Sequence, residues 1–204
     1  MFIRLYPEMP SQRHIRYISE VLENGGLVIY PTDTIYAIGC DVNKPKALER
    51  LAHLKGANPK NPDFSFIFSD IRQVAEYTPP LDKTVFKLLK HNLPGPFTFI
   101  LPANHKVPKL FKGKKKTIGV RIPDNNIPLE IVRALGRPIL SSSIHSEDEV
   151  VNYITDPELI YEKYGHLADI VVNGGYGNNV ASTVVDCTGE EPVIVREGIG
   201  KLES

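Results

Sequence analysis

Long apolar runs are missing from this chain. No segment approaches the roughly 18 apolar residues of a membrane span, and Met1-Phe2-Ile3-Arg4-Leu5-Tyr6-Pro7 lacks the apolar stretch of a secretory leader. The reading is a cytoplasmic protein with no membrane partner. Cysteine is scarce: Cys40 and Cys187 stand far apart, outside any C-x-x-C pair, and border apolar residues. They read as reduced, packed thiols, which excludes a disulfide framework. Net charge is absent too, with 24 basic and 24 acidic residues. An anionic partner is therefore neither favoured nor excluded by the total, and only the distribution of charge can argue for one.

Several motifs are also missing. There is no G-x-x-x-x-G-K-[ST] phosphate loop, no G-x-G-x-x-G after the first strand and no H-E-x-x-H, and the six histidines are scattered. No metal site is expected, and any nucleotide chemistry needs a different cradle. Internal repeats, low-complexity tracts and linkers are lacking, and 204 residues suffice for one core. The chain reads as a single domain over residues 1–204.

What is present alternates between helix and strand patterns. Ile15, Ile18, Val21 and Leu22 recur at helical spacing and end at Gly25-Gly26, after which Leu27-Val28-Ile29 forms a buried strand. Pro31 cannot continue the ladder, so the polar residues that follow are placed on a loop at the strand end, where sites are built. Further helices are expected over Pro45 to Leu54, after Ser69-Asp70, over Leu81 to His91, over Pro128 to Leu135 and after Asp156-Pro157. Strands are expected at Phe64 to Phe68, Thr98 to Leu101, Thr117 to Ile122, Pro138 to Leu140, Asp169 to Val172, Thr183 to Asp186 and Pro192 to Val195. Without strict alternation, the pattern favours an α/β domain with a mixed sheet over a doubly wound parallel one.

Polar residues gather at the predicted strand ends. Thr32, Asp33, Thr34 and Tyr36 suit a small polar ligand, or else form a capped turn whose hydroxyls satisfy the backbone. Lys55, with Lys60 beyond it, could hold a phosphate or simply complement a helix dipole. Leu93-Pro94-Gly95-Pro96 fixes the entry of a strand and aims Thr98. Ser141-Ser142-Ser143 follows the Ile139-Leu140 strand without a G-x-S-x-G elbow, which leaves a Ser-His hydrolase unsupported. Five lysines fall within eight residues, at 109, 112, 114, 115 and 116, just before the strand that ends in Arg121. Such a run is either a solvated face or the edge of a polyanion site.

Taken in order, these segments resemble the YrdC/YciO family. Pro31-Thr32-Asp33-Thr34-Ile35-Tyr36-Ala37-Ile38-Gly39-Cys40 is similar to its P-T-D-T-x-Y-x-x-G-x signature, Leu93 to Leu101 to L-P-G-P-x-T-x-x-L, and Thr117 to Pro123 to T-I-G-V-R-x-P. Ser182 to Asp186 is similar to S-T-V-V-D, and Arg196-Glu197-Gly198 to R-x-G. The resemblance implies a twisted mixed α/β sheet, YrdC/RibB-like, bent around a basic concave cleft. It also implies an L-threonylcarbamoyladenylate synthase, joining threonine, bicarbonate and ATP with release of pyrophosphate and serving tRNA modification. Mg²⁺ would accompany the ATP, and a transferase protein would be a partner.

By the same resemblance Lys55 and Arg121 are the catalytic cations. Thr32, Thr34, Tyr36 and Ser182 line the threonine and bicarbonate side, and Thr98, Ser141, Ser143 and Arg196 complete the nucleotide cradle with Lys55 and Arg121. Lys112, Lys114, Lys115 and Lys116 form an RNA-facing rim. Two positions depart from the synthase pattern: Lys55-Gly56-Ala57 keeps the Lys of K-x-R but not the Arg, and Ser143-Ile144-His145 keeps the Ser of S-x-N but not the Asn. These changes, with the segment from Tyr6-Pro7-Glu8 to His14, resemble the YciO branch. The alternative expectation is a protein that binds double-stranded RNA or tRNA, or acts on modified tRNA, through the same cleft.

Overall fold

The computed structural model describes residues 1–54, 64–108, 116–144 and 154–203. Along the chain run β1 (Phe2–Arg4), α1 (Gln12–Glu23), β2 (Val28–Tyr30), β3 (Ala37–Asp41), α2 (Pro45–Leu54), β4 (Ser65–Ile67), α3 (Ile71–Ala75) and α4 (Lys83–Asn92). They are followed by β5 (Phe97–Pro102), β6 (Thr117–Arg121), α5 (Asn126–Leu135), β7 (Ile139–Ser143), α6 (Pro157–Tyr164), β8 (Ile170–Asn173), β9 (Thr183–Asp186) and β10 (Val193–Arg196). Helix starts follow capping chemistry. Asp70, Asp82, Asn125 and Asp156 each accept a backbone N–H of the first turn, and Pro157 opens α6 where its missing donor is not needed.

All ten strands join one sheet in the order β1-β8-β2-β3-β7-β4-β6-β5-β9-β10. Parallel pairs (β1 and β2 with β8, β4 with β6, β5 with β9) mix with antiparallel ones, as the irregular alternation of elements predicts. One face carries the larger core. Leu48 and Leu51 of α2, Val74 of α3, Leu88 and Leu89 of α4 and Ile160 of α6 pack on it with Ile29, Ile38, Phe66, Phe99, Val120, Leu140 and Val185. The opposite face is covered on one half only, where Ile15, Ile18 and Leu22 of α1 and Ile127, Ile131 and Leu135 of α5 meet Val28, Tyr30, Ile67, Ile139 and Ile170. Towards β5 and β9 no described helix packs on it. Phe97, Phe99 and Leu101 are buried while Thr98, Ile100 and Pro102 are half-exposed, and β9 repeats the alternation with Val184 and Asp186 half-exposed. This half of the face, free of helices among the described residues, positions the site.

The structure adds two strands to those expected and lengthens a third. Residues 37–41, to which the sequence pattern assigned no element, form β3, paired with β2 and β7 and buried throughout. Both faces of β3 are covered, so it shows no alternation, and its terminal Asp41 is buried because Arg137 grips it with Nε at 2.9 and 3.0 Å and Nη2 at 2.5 Å. Ser141, Ser142 and Ser143 belong to β7 itself, opposite Gly39, Ile38 and Ala37. Phe2–Arg4, too short to carry a pattern, is β1. Among the described residues no helix is long and apolar enough to cross a membrane.

Candidate functional site

The loop between β2 and β3 does not project from the sheet end. It folds back over the half-bare face, because Asp33 meets residues of β6 and beyond, three places along from β3. Asp33 Oδ2 accepts the backbone N–H of Asp124 at 3.0 Å, and Oδ1 accepts Nη2 of Arg121 at 3.1 Å. The same Nη2 donates to Thr34 Oγ1 at 2.9 Å, and Thr32 Oγ1 lies 3.1 Å from Thr34 Oγ1 while donating to the Ile35 carbonyl at 2.7 Å. The loop is therefore both a capped turn and a wall of the cleft.

Arg121 is the electrostatic centre. Its side chain and that of Asp33 keep only 7% and 9% of their exposure. Burial lowers the guanidinium pKa against the pull of Asp33, and burial raises the Asp33 carboxyl against Arg121 and the Asp124 N–H. Arg121 Nε is buried and has no hydrogen-bond partner among the described residues. A buried cation with an unspent donor beside a bare face is a ready anion site.

Thr98, Ser182 and Arg196 come together next to it. Thr98 Oγ1 lies 2.8 Å from Ser182 Oγ, and Arg196 Nη2 donates to the Ser182 carbonyl at 2.9 Å and to its Oγ at 3.3 Å. A Cβ added at Gly119 would sit 3.2 Å from Thr98 Cγ2, so the β6 glycine keeps the floor flat beneath these groups. Gly198 has a related role: any side chain there would overlap the carbonyl of Ala181 and the backbone of Ser182. On the other side of the floor Tyr30 donates its phenol to Ser141 Oγ at 2.6 Å, and Ser143 lies at the half-buried end of β7.

Tyr36 has partners within the fold. Its ring is buried, and its hydroxyl donates to the Gly175 carbonyl at 2.6 Å and accepts the Gly174 N–H at 3.1 Å. Burial pushes its pKa up to about 12. It serves as a latch holding the loop after β8, and that loop in turn bonds the site wall through Asn178 N–H to the Thr34 carbonyl at 2.7 Å. Lys55, Ala57, His145, Lys112, Lys114 and Lys115 lie outside the described residues, whereas Lys116 is exposed at the start of β6.

Sequence reasoning missed part of the site. A recess of about 370 Å³ is lined by Thr32, Asp33 and Thr34 together with Thr155, Tyr176, Gly177, Asn178 and Asn179. Residues 174–179 carry only a loop composition, and nothing in their spacing ties them to residue 34. The sequence offered Asp33 only as an acceptor for a ligand or a turn, and its part as the anchor of Arg121 needs the fold. Among the described residues no group of three His, Cys, Asp or Glu is arranged to hold a metal.

The sequence model of the Sua5/YciO/YrdC family, described as "Telomere recombination", matches residues 20–198. An uncharacterised protein of Haemophilus influenzae is 40% identical over 200 residues, covering 98% of this chain and 96% of its own. The Escherichia coli protein YciO is 36% identical over 203 residues, covering 99% and 97%, and its crystal structure superposes with a TM-score of 0.90 over 98% of this chain and 97% of that one. The Pyrococcus abyssi Sua5 structure complexed with L-threonine gives a TM-score of 0.87 at 27% identity, covering 97% of this chain and 57% of that one. A threonylcarbamoyl-AMP synthase of the same organism is 30% identical over 189 residues, 93% of this chain and 55% of its own.

Proposed function

Since the chain belongs to the Sua5/YciO/YrdC family, we propose that it is an enzyme of the threonylcarbamoyl-AMP synthase type, working on the half-bare sheet face. The observation that carries this reading is the Arg121 arrangement: a buried guanidinium with an unspent Nε, facing a floor of paired hydroxyls and a second arginine. Such a surface suits a ligand with several anionic oxygens. Threonine is the proposed amino acid because the structurally similar Sua5 was captured with it.

In the proposed reaction the threonine amine attacks the carbon of bicarbonate, water leaves, and a carbamate forms. A carbamate oxygen then attacks the α-phosphorus of ATP and pyrophosphate departs. Arg121 and Arg196 would face the charge that develops on the phosphoryl oxygens, and Thr98, Ser182 and Ser141 would hold the reactants in line. Tyr30, by donating to Ser141, leaves the serine hydrogen free to point at the ligand. Tyr36 would act indirectly, through the loop it latches. Mg²⁺ would enter with ATP. The adenylate would pass to a transferase partner for use on tRNA.

The test is incubation with ATP, labelled bicarbonate and threonine, with detection of the adenylate and pyrophosphate. Ala57 and His145 replace a charged and a polar contact of the synthase pattern, so turnover should be slow in the native chain. Ala57→Arg with His145→Asn should raise it roughly 30- to 1,000-fold, the worth of about 2 to 4 kcal/mol of transition-state contact. Absence of pyrophosphate from both proteins would refute the reading. It would favour the second one, action on RNA through the same cleft, which rests on the lysine run before β6 and the departures shared with the YciO branch.

A further inference from the structure

The recess beside the loop shares the Thr32–Thr34 wall with the cleft but none of the cleft's floor, since Thr98, Arg121, Ser141, Ser182 and Arg196 do not line it. Its volume of about 370 Å³ falls at the lower end of small-molecule sites, room for one flat heterocycle. Tyr176 stands at its edge, 80% exposed. An aromatic ring so exposed is usually found on a mobile tip, yet here the backbone around it is pinned on every side. Gly174 and Gly175 bond Tyr36, Gly175 N–H also donates to Asn173 Oδ1, Gly177 N–H donates to the Thr155 carbonyl at 2.8 Å, and Asn178 N–H donates to the Thr34 carbonyl. A Cβ at Gly177 would sit 2.8 Å from the Tyr36 ring, so the loop lies flat on that latch.

Two amides complete the lining. Asn178 Oδ1 accepts the N–H groups of Asn179 and Val180, which leaves the Asn178 Nδ2 hydrogens uncommitted. Among the described residues nothing engages the Asn179 side chain. An aromatic face on a pinned backbone, with amide donors and an amide acceptor beside it, matches the needs of a ring with polar edges: a face to stack on and complementary groups to read the rim.

We propose that this recess is a nucleobase-binding site, separate from the sheet-face cradle, in which Tyr176 stacks on the ring and Asn178 and Asn179 read its edge. The proposal goes beyond the synthase reading and does not depend on it. The base could belong to a free nucleotide or to a single-stranded RNA segment, and the same chemistry would recognise either.

The test uses the fluorescence of 2-aminopurine, which stacking quenches, in a chain that contains no tryptophan. One arm titrates the full-length protein into 2-aminopurine riboside monophosphate and the other into a short single-stranded oligoribonucleotide carrying one 2-aminopurine. Quenching is expected in at least one arm, and that arm identifies the source of the base. Tyr176→Ala should weaken binding roughly 5- to 150-fold, Tyr176→Phe should retain it, and ribose 5-phosphate, which has no base, should not compete. Thermal unfolding of both variants should match wild type, because the ring is exposed. No quenching in either arm, equal quenching by Tyr176→Ala, or full competition by ribose 5-phosphate would overturn the proposal. Arg196→Ala, expected to disable adenylate formation, should leave the quench intact. Loss of pyrophosphate release and loss of Tyr176-dependent quenching are therefore separate outcomes.

Discussion

The Arg121–Asp33 pair lends itself to a double-mutant cycle that separates its structural from its chemical role. Both side chains are almost fully buried, and Asp33 also holds the Asp124 backbone. Arg121→Met leaves a carboxylate in the interior with only backbone N–H donors among the described residues, and Asp33→Leu leaves a guanidinium whose remaining partner among them is Thr34 Oγ1. Removing one member of a buried pair costs about 3 to 5 kcal/mol, whereas replacing both by apolar groups is close to neutral. For a chain of this size each kcal/mol moves the midpoint by about 2 to 4 °C, so each single variant should melt about 6 to 20 °C below wild type. The double variant should regain most of that loss. Its activity should not return, because the anion-facing charge is gone: pyrophosphate release should be absent in Arg121→Met and in the double variant alike. Calorimetry and urea denaturation would give the stabilities, and the adenylate assay the activities. A single variant that costs under about 1 kcal/mol would refute the description of a coupled buried pair, and a double variant that turns over at the wild-type rate would remove Arg121 from the chemistry.

Three further outcomes are expected. Tyr36 holds its proton up to about 12 in the fold and releases it near 10 when unfolded, so stability falls as pH rises between those values, by up to about 3 kcal/mol; Tyr36→Phe should show a shallower loss in midpoint-versus-pH scans, and an unchanged slope would deny the burial of the phenol. Gly198→Ala should cost about 1 to 3 kcal/mol in urea denaturation and lower ATP affinity by displacing Ser182, and wild-type behaviour on both measures would mean that the close approach is not needed. Replacing Lys112, Lys114, Lys115 and Lys116 by Gln should reduce the log–log salt slope of tRNA binding by about 3 to 4 while ATP binding stays intact; a preserved slope would identify the run as a solvated face.

Much of the architecture was legible because its helices are amphipathic and its outer strands alternate. Ile15, Ile18 and Leu22 face one core as their spacing predicts, and β5 alternates buried and half-exposed residues along its length. β3 was not legible, since a strand covered on both faces carries small and mixed residues and here ends in an aspartate whose arginine lies 96 positions away. Of the site, the sequence motifs marked Thr34, Thr98, Arg121, Ser182 and Arg196, and the fold brings the last four and Asp33 to one face. The motifs could not tell a residue that faces ligand from one that holds a wall. The bonds of Tyr36 to Gly174 and Gly175, which make it hold a wall, are visible only in the fold. Tyr176 and the two asparagines were invisible because their place depends on a loop docking onto residue 34.

The strand order has a kinetic consequence. Thr98 meets Ser182 across 84 positions of chain and Arg121 meets Asp33 across 88, while β1 waits for β8. Half of the cleft therefore cannot exist until β9 is available, and no early fragment of the nascent chain can hold ligand. Contacts this distant make folding slow, since much loop entropy is lost before any of them forms. A ligand that grips both arginines would join segments that meet only at the end of folding, and it would act on the whole sheet as a clamp against unfolding.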